Sequence, residues 1–165
     1  MAFGPMIDVP LLSAIFALVL RWQNAVLRLM AKTRLPRVAA ALLVSVPLLV
    51  FEEHINCGAY GCTKVLVPPT LWFLLVLELI FFGIVKITRI KKVVWQTLLC
   101  SFLGMLLEFY LGSARTGLHQ LAKEHPLVFL LIMVWVGFSY TFAYYLPLLI
   151  FNGPKAPESL SHAAK

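Results

Sequence analysis

Charge is what this chain has least of. Charged residues make up 13% of its 165 positions and hydrophobic residues 61%, against about 25% and 45–50% in an ordinary soluble domain. So thin a supply of charge cannot solvate the surface of a normal soluble enzyme, and so apolar a composition excludes disorder and collagen. Cysteine is scarce as well: three residues are too few for a disulfide scaffold. None of the four histidines falls inside an apolar run, which argues against bis-histidine haem ligation in a membrane. Gly-x-Ser-x-Gly, His-Glu-x-x-His and P-loop patterns are all missing. A helical integral membrane protein remains.

The few charges are informative. Net charge is +7, which in a soluble protein would raise nucleic-acid binding. Here Lys and Arg stand in short clusters between apolar runs, with no basic stripe interleaved with aromatics. No nucleic-acid partner is therefore expected; the expected surroundings are a lipid bilayer.

Five apolar stretches can be read, at about 5–20 (continuing as helix to about 30), 37–51, 66–87, 93–112 and 126–151. A spanning helix needs roughly 20 residues, and the last three meet this comfortably. The first is cut short by Arg21, whose charge can snorkel to the headgroups. The second carries Pro47, which a bundle tolerates. Asp8 sits where a signal peptide would carry positive charge, so the first stretch is expected to be a span. Arg21, Arg28, Lys32, Arg34 and Arg37 separate the first two runs. Lys86, Arg89, Lys91 and Lys92 separate the third from the fourth, and Lys155 and Lys165 follow the fifth. Only Lys64, Arg115 and Lys123 fall in the other loops. This alternation predicts an all-α polytopic bundle of about five transmembrane helices, N-terminus outside and C-terminus cytoplasmic, in a plasma or inner membrane. Residues 1–151 form one helical domain, and 152–165, with two prolines and two serines, read as a flexible cytoplasmic tail. The outer loops are then 52–67 and 113–125.

Cys57 and Cys62 bracket Gly-Ala-Tyr-Gly in the first outer loop. An outer face permits a disulfide between them; free thiols, or redox or metal chemistry, are the alternatives. Cys100 reads as a small packing residue.

The seven acidic residues carry the functional argument. Glu78 falls near the middle of the third run and Glu108 in the outer part of the fourth. A carboxylate at the bilayer centre costs roughly 2.5–3.5 kcal/mol on insertion scales. Glu78 must therefore face protein or water, find a partner, or carry a proton. Gln96, Ser139, Tyr140, Thr141, Arg115 or another carboxyl group are the candidate partners. Gln96, Cys100, Gly104, Glu108 and Gly112 recur every four residues, a small and polar stripe suited to close helix packing or to lining a site. Tyr144 and Tyr145 read as the inner aromatic belt, and Tyr140 as an interior hydroxyl. Glu52, Glu53 and His54 form an outer cluster that could hold a divalent cation or act in acid–base chemistry, joined by His119 and His125. Against this stands an ordinary charged helix end.

Three functions fit. One is binding or transport of a cation, proton or small solute through Glu52, Glu53, His54, Glu78 and Glu108. The second is an enzyme acting on a lipid or prenyl-type substrate at the outer face. The third is a non-catalytic subunit of a membrane complex, as a homo-oligomer or with another membrane subunit. No cofactor is implied.

Overall fold

The computed structural model describes residues 4–33, 35–56, 68–111 and 115–153. Among these the chain is all-helical: α1 (Gly4–Lys32), α2 (Arg37–Asn56), α3 (Pro68–Thr88), α4 (Val93–Tyr110), α5 (Arg115–Glu124) and α6 (Pro126–Phe151). Ser13–Lys32 of α1, together with α4 and α6, is long and apolar enough to cross a membrane. The apolar part of α2, Arg37–Phe51, is shorter. α3 is 21 residues long, and between Leu71 and Val85 its only charge is Glu78.

The core is apolar but holds several polar side chains: Ser45, Glu78, Gln96, Thr97, Ser101 and Ser139 are buried, while Trp72, Phe73, Ile80, Trp95, Phe102 and Leu131 are exposed. Large outward apolar faces fit lipid as the surrounding solvent.

α6 is the centre of the bundle and packs against α1, α2, α4 and α5; α3 packs on α2 and meets α6 through its rings, Phe81 on Tyr144 and Phe82 on Phe151. Each seam uses polar contacts suited to hydrocarbon. On α4 and α6, the hydroxyls of Ser101 and Thr141 meet at 2.9 Å. One hydroxyl donates to the other, and the accepting one gives its own proton to a carbonyl one turn back on its helix, Thr97 for Ser101 or Gly137 for Thr141. Lower on the same seam two amides pair reciprocally. Asn152 Nδ2 donates to Gln96 Oε1 at 2.6 Å, and Gln96 Nε2 donates to Asn152 Oδ1 at 3.2 Å. Gln96 Nε2 also reaches the carbonyl of Ile90 in the α3–α4 connection. α1 docks on α6 by the hydrogen bond from the Tyr145 hydroxyl to Gln23, 3.0 Å, and by Phe16 set edge-on to Phe138 and Tyr145.

Several expectations change. The segment 113–125, expected as an outer loop, contains helix α5. Leu118 is buried, and His119 stacks on Phe109 of α4 with ring centroids 4.1 Å apart, so one amphipathic turn after another closes over the end of α4. Asn152 does not begin a loose tail: its side chain is held by Gln96 and by the Leu148 carbonyl. The remainder of the tail, 154–165, lies outside the described residues. Tyr144 is not part of an interfacial belt. It is wholly buried, with its ring 5.1 Å from Phe81 of α3 and 6.0 Å from Tyr140, because α6 runs through the middle of the bundle there.

The α1–α2 and α3–α4 connections lie at the same end. Gln96 ties the α3–α4 connection to the C-terminal end of α6, and one cavity joins Arg28 and Arg37 to Ile150 and Gly153 of that same end. The two basic clusters thus share one rim.

Gly104 sets the α4–α6 distance. A Cβ there would stand 2.8 Å from the Tyr140 ring, and the ring is buried and cannot swing away freely. Gly104→Ala is expected to destabilise the protein by about 1–3 kcal/mol, as overpacking does. Gly83 has open space around its Cβ position, so Gly83→Ala should be neutral or stabilising by up to about 1 kcal/mol. Dodecyl sulfate unfolding titrations of the two variants measure the contrast.

Candidate functional site

Glu78 projects from the middle of α3 into the bundle with 0% of its surface exposed. Ser45, equally enclosed on α2, donates its hydroxyl to Oε1. Among the described residues Oε2 has no hydrogen-bond partner and no cation pairs with the carboxyl group. α2 and α3 therefore meet through one buried acidic side chain whose second oxygen is unsatisfied among the described residues.

The local sequence explains the placement. Leu74, Glu78, Phe81, Phe82 and Val85 are the buried positions of α3. Their spacing of three and four residues defines one helix face. Glu78 occupies the centre of that face, where an apolar residue would normally stand. On α2, Ala41, Ser45 and Leu49 are buried at four-residue intervals, so Ser45 faces inward between an alanine and a leucine.

Glu108 has a separate setting. It is half-buried and accepts a hydrogen bond from the Tyr140 hydroxyl at 3.4 Å. Tyr140 stacks on Tyr144, rings 17° from parallel. Tyr144 in turn packs on Phe81, one turn along α3 from Glu78. Two phenol rings on α6 thus occupy the interior between the Glu108 level and the Glu78 level, and no hydrogen bond joins the two carboxyl groups.

The expected partners of Glu78 prove to be engaged elsewhere. Gln96 pairs with Asn152, Tyr140 with Glu108, Thr141 with Ser101, and Ser139 with the Val136 carbonyl. The Arg115 side chain lies outside the described residues, as do those of Glu52, Glu53 and His54; the backbone of these last three belongs to the C-terminal part of α2. Cys57 and Cys62 lie outside the described residues too. His119 is committed to Phe109, stacking on its ring and meeting its carbonyl oxygen at 3.0 Å. Among the described residues no group of three potential ligands is close enough to hold a metal ion. Ser45 is the partner that sequence reasoning missed, since nothing in its run of alanines, leucines and valines marks which face turns inward. The stripe Gln96, Cys100 and Gly104 is the buried face of α4, as a packing seam requires.

Among the described residues the class is an all-helical protein with three apolar helices of spanning length and several polar side chains buried in an apolar core. No family model, curated protein or solved structure matches the chain, so any activity has to be argued from these residues alone.

The Ser45–Glu78 bond is testable by its asymmetry. Ser45→Ala strands a second buried carboxyl oxygen and should cost about 1–3 kcal/mol. Adding Glu78→Met removes the stranded group, so the double variant should be more stable than Ser45→Ala alone. Unfolding titrations of both single variants and the double variant give the sign.

Proposed function

We propose that this is a five-span membrane protein that binds a proton or small cation at Glu78 and passes it through the bundle. The observation that carries the reading is the enclosed carboxyl group with one oxygen unsatisfied and no counter-charge among the described residues. An acidic group in that position demands a positive charge or a proton. Ser45 holds one oxygen and so fixes the direction in which the other points. Glu108, bonded to Tyr140 nearer the opposite end of α4 from the basic rim, is the second acidic group on the route, and the Tyr140–Tyr144 stack fills the interval between them. Glu52, Glu53 and His54 at the end of α2 would supply charge at the outer mouth.

The topology belongs to the same proposal. Both basic clusters share one rim of the bundle, which supports the cytoplasmic assignment of that rim by the positive-inside rule. With the cysteines replaced, Lys32→Cys and Lys91→Cys should both resist an impermeant maleimide in intact cells and react in inverted vesicles. Lys123→Cys should do the reverse. Labelling of Lys32→Cys and Lys91→Cys from opposite sides would reject the arrangement.

A second reading draws on the separation of the two carboxyl groups, each with its own hydroxyl donor. These are then interhelical fasteners, as in a subunit of a larger complex. Proteoliposomes containing a pH-sensitive dye, or a dye for Na+ or K+, discriminate the two. The proton or cation reading expects a potential-driven flux that Glu78→Gln reduces to the level of empty liposomes while the variant remains folded. Flux unchanged in Glu78→Gln, or no flux with any of the three ions in the parent protein, leaves the fastener reading.

A further inference from the structure

We infer that the ligand of Glu78 is a proton, taken up on Oε2, and that the site is closed to Na+, K+ and divalent cations. The inference rests on the reading of Glu78 as a binding site and adds what it binds. Exposure is 0% for both Glu78 and Ser45, so no space large enough for a water molecule adjoins either side chain. A proton needs no such space, because it lies within an O–H bond. A Na+ or K+ ion gives up its hydration water only to a set of oxygens that replaces it, and calcium takes roughly six to eight. The surroundings offer no such set. On α3 the buried positions around Glu78 are Leu74, Phe81, Phe82 and Val85, and on α2 Ser45 lies between the buried Ala41 and Leu49. Ser45 is the one hydrogen-bond partner of the carboxyl group among the described residues, and it is a donor there. A hydroxyl that turns its proton toward Oε1 complements a carboxyl group and opposes a cation at the same oxygen. The carbonyls of both helices are engaged in their own turns.

The neighbouring charges do not stand in for the proton. Arg37 begins α2 and Lys86 lies in the last turn of α3; both are exposed, each roughly two turns along its helix from Ser45 or Glu78. α6 meets α3 through Tyr144 on Phe81 and Phe151 on Phe82. It brings the titratable groups of Tyr140, Tyr144 and Tyr145 and no charged residue. Cys100 is buried on α4. The side chains of Glu52, Glu53 and His54 lie outside the described residues. In such company an ionised carboxylate is far costlier than a neutral carboxyl group, and one proton removes the difference. The O–H bond forms between a lone pair of Oε2 and a proton delivered by hydronium, which leaves as water. Release breaks that bond, returns the proton to water and leaves the electron pair on Oε2. Ser45 donates to Oε1 in both forms, and so directs the proton to the other oxygen.

Infrared spectra of the full chain in proteoliposomes at neutral pH test this. A C=O stretch of a protonated carboxyl group is expected that is absent in Glu78→Gln and kept in Glu108→Gln. It should not change when choline in the buffer is replaced by Na+, K+ or calcium. Ser45→Ala, which removes the hydrogen bond to Oε1, should move the band to higher frequency, and this arm stands even where Glu78→Gln does not fold. A pH step across the same vesicles in thiocyanate salts, read by an enclosed pH-sensitive dye, should drive the same Glu78-dependent proton flux in choline as in Na+ or K+. Absence of the Glu78 band, its loss on addition of any of the metal ions, a band that Ser45→Ala leaves unmoved, or a proton flux that requires Na+ or K+ overturns the proposal. A Glu78-dependent flux of Na+ or K+ also overturns it and leaves the transport reading in place. The expected band without flux of any ion supports the proton at Glu78 and rejects its passage through the bundle, so the two failures are told apart.

Discussion

The interior of this bundle is governed by one constraint: in hydrocarbon a polar side chain has no solvent to turn to, so it must find its partner on another helix or on its own backbone. Nearly every buried polar group here obeys. Ser101 and Thr141 bond each other, and whichever accepts donates to the carbonyl one turn behind it. Gln96 and Asn152 exchange amide bonds. α6 supplies a partner at most of these points, and this makes it the helix around which the others are placed. Glu78 obeys only by half. One oxygen is satisfied by Ser45, and the other is left over among the described residues. A structural fastener would be served as well by a neutral amide or a second serine, at far lower desolvation cost. The surplus acceptor is therefore the feature that sets this position apart from Gln96 and Ser101, which do the same fastening work without charge.

The two ends of the bundle are built differently. At the basic rim, Gln96, Ile90 and Asn152 lock the end of α6 to the start of α4, while Arg28, Arg37 and the aliphatic wall between them leave a gap. At the other end, α5 closes over α4 through aromatic contacts, His119 on Phe109 and Phe109 against Phe129 of α6. Stacked rings hold a short helix in place and still present polar atoms to water, as Gln120 and Glu124 do in their mutual bond on the exposed side. Charge is concentrated at one rim and aromatic packing at the other. Such a division separates the level that meets headgroups by ion pairing from the level that meets them by amphipathic rings.

Much of this was legible from residue order. Long apolar runs interrupted by basic clusters give the helices α1 to α4 and α6 within a few residues, because length and hydrophobicity are local properties. The alternation of basic and non-basic loops is local as well, and it anticipated that the α1–α2 and α3–α4 connections would share a rim. The expense of Glu78 could be read because an isolated acid in an apolar run has no ordinary explanation. Its partner could not. Ser45 sits in a run of valines, leucines and alanines where a serine is unremarkable, and which residue faces which across two helices depends on helix rotation, a property of the packed whole. Tyr144 was misread for the same reason: its position near an apparent helix end suggested an interface, but the central course of α6 buries it. α5 was missed because ten residues with two apolar anchors give too weak a period to separate helix from loop.

Those misreadings point in one direction. The sequence offered Gln96, Ser139, Tyr140, Thr141 and Arg115 as alternative partners for Glu78 and left open whether the acidic groups converge. The bundle divides them into pairs instead. Pairing keeps the number of unsatisfied groups small, and the acidic member among them is Oε2 of Glu78. A chain selected only for stability would have removed that deficit by a neutral substitution, since replacing a buried charge with an isosteric apolar or amide group is often neutral or stabilising. Its place at the centre of an interior whose polar groups are mostly paired is the physical ground of the proposal that Glu78 binds a proton or small cation.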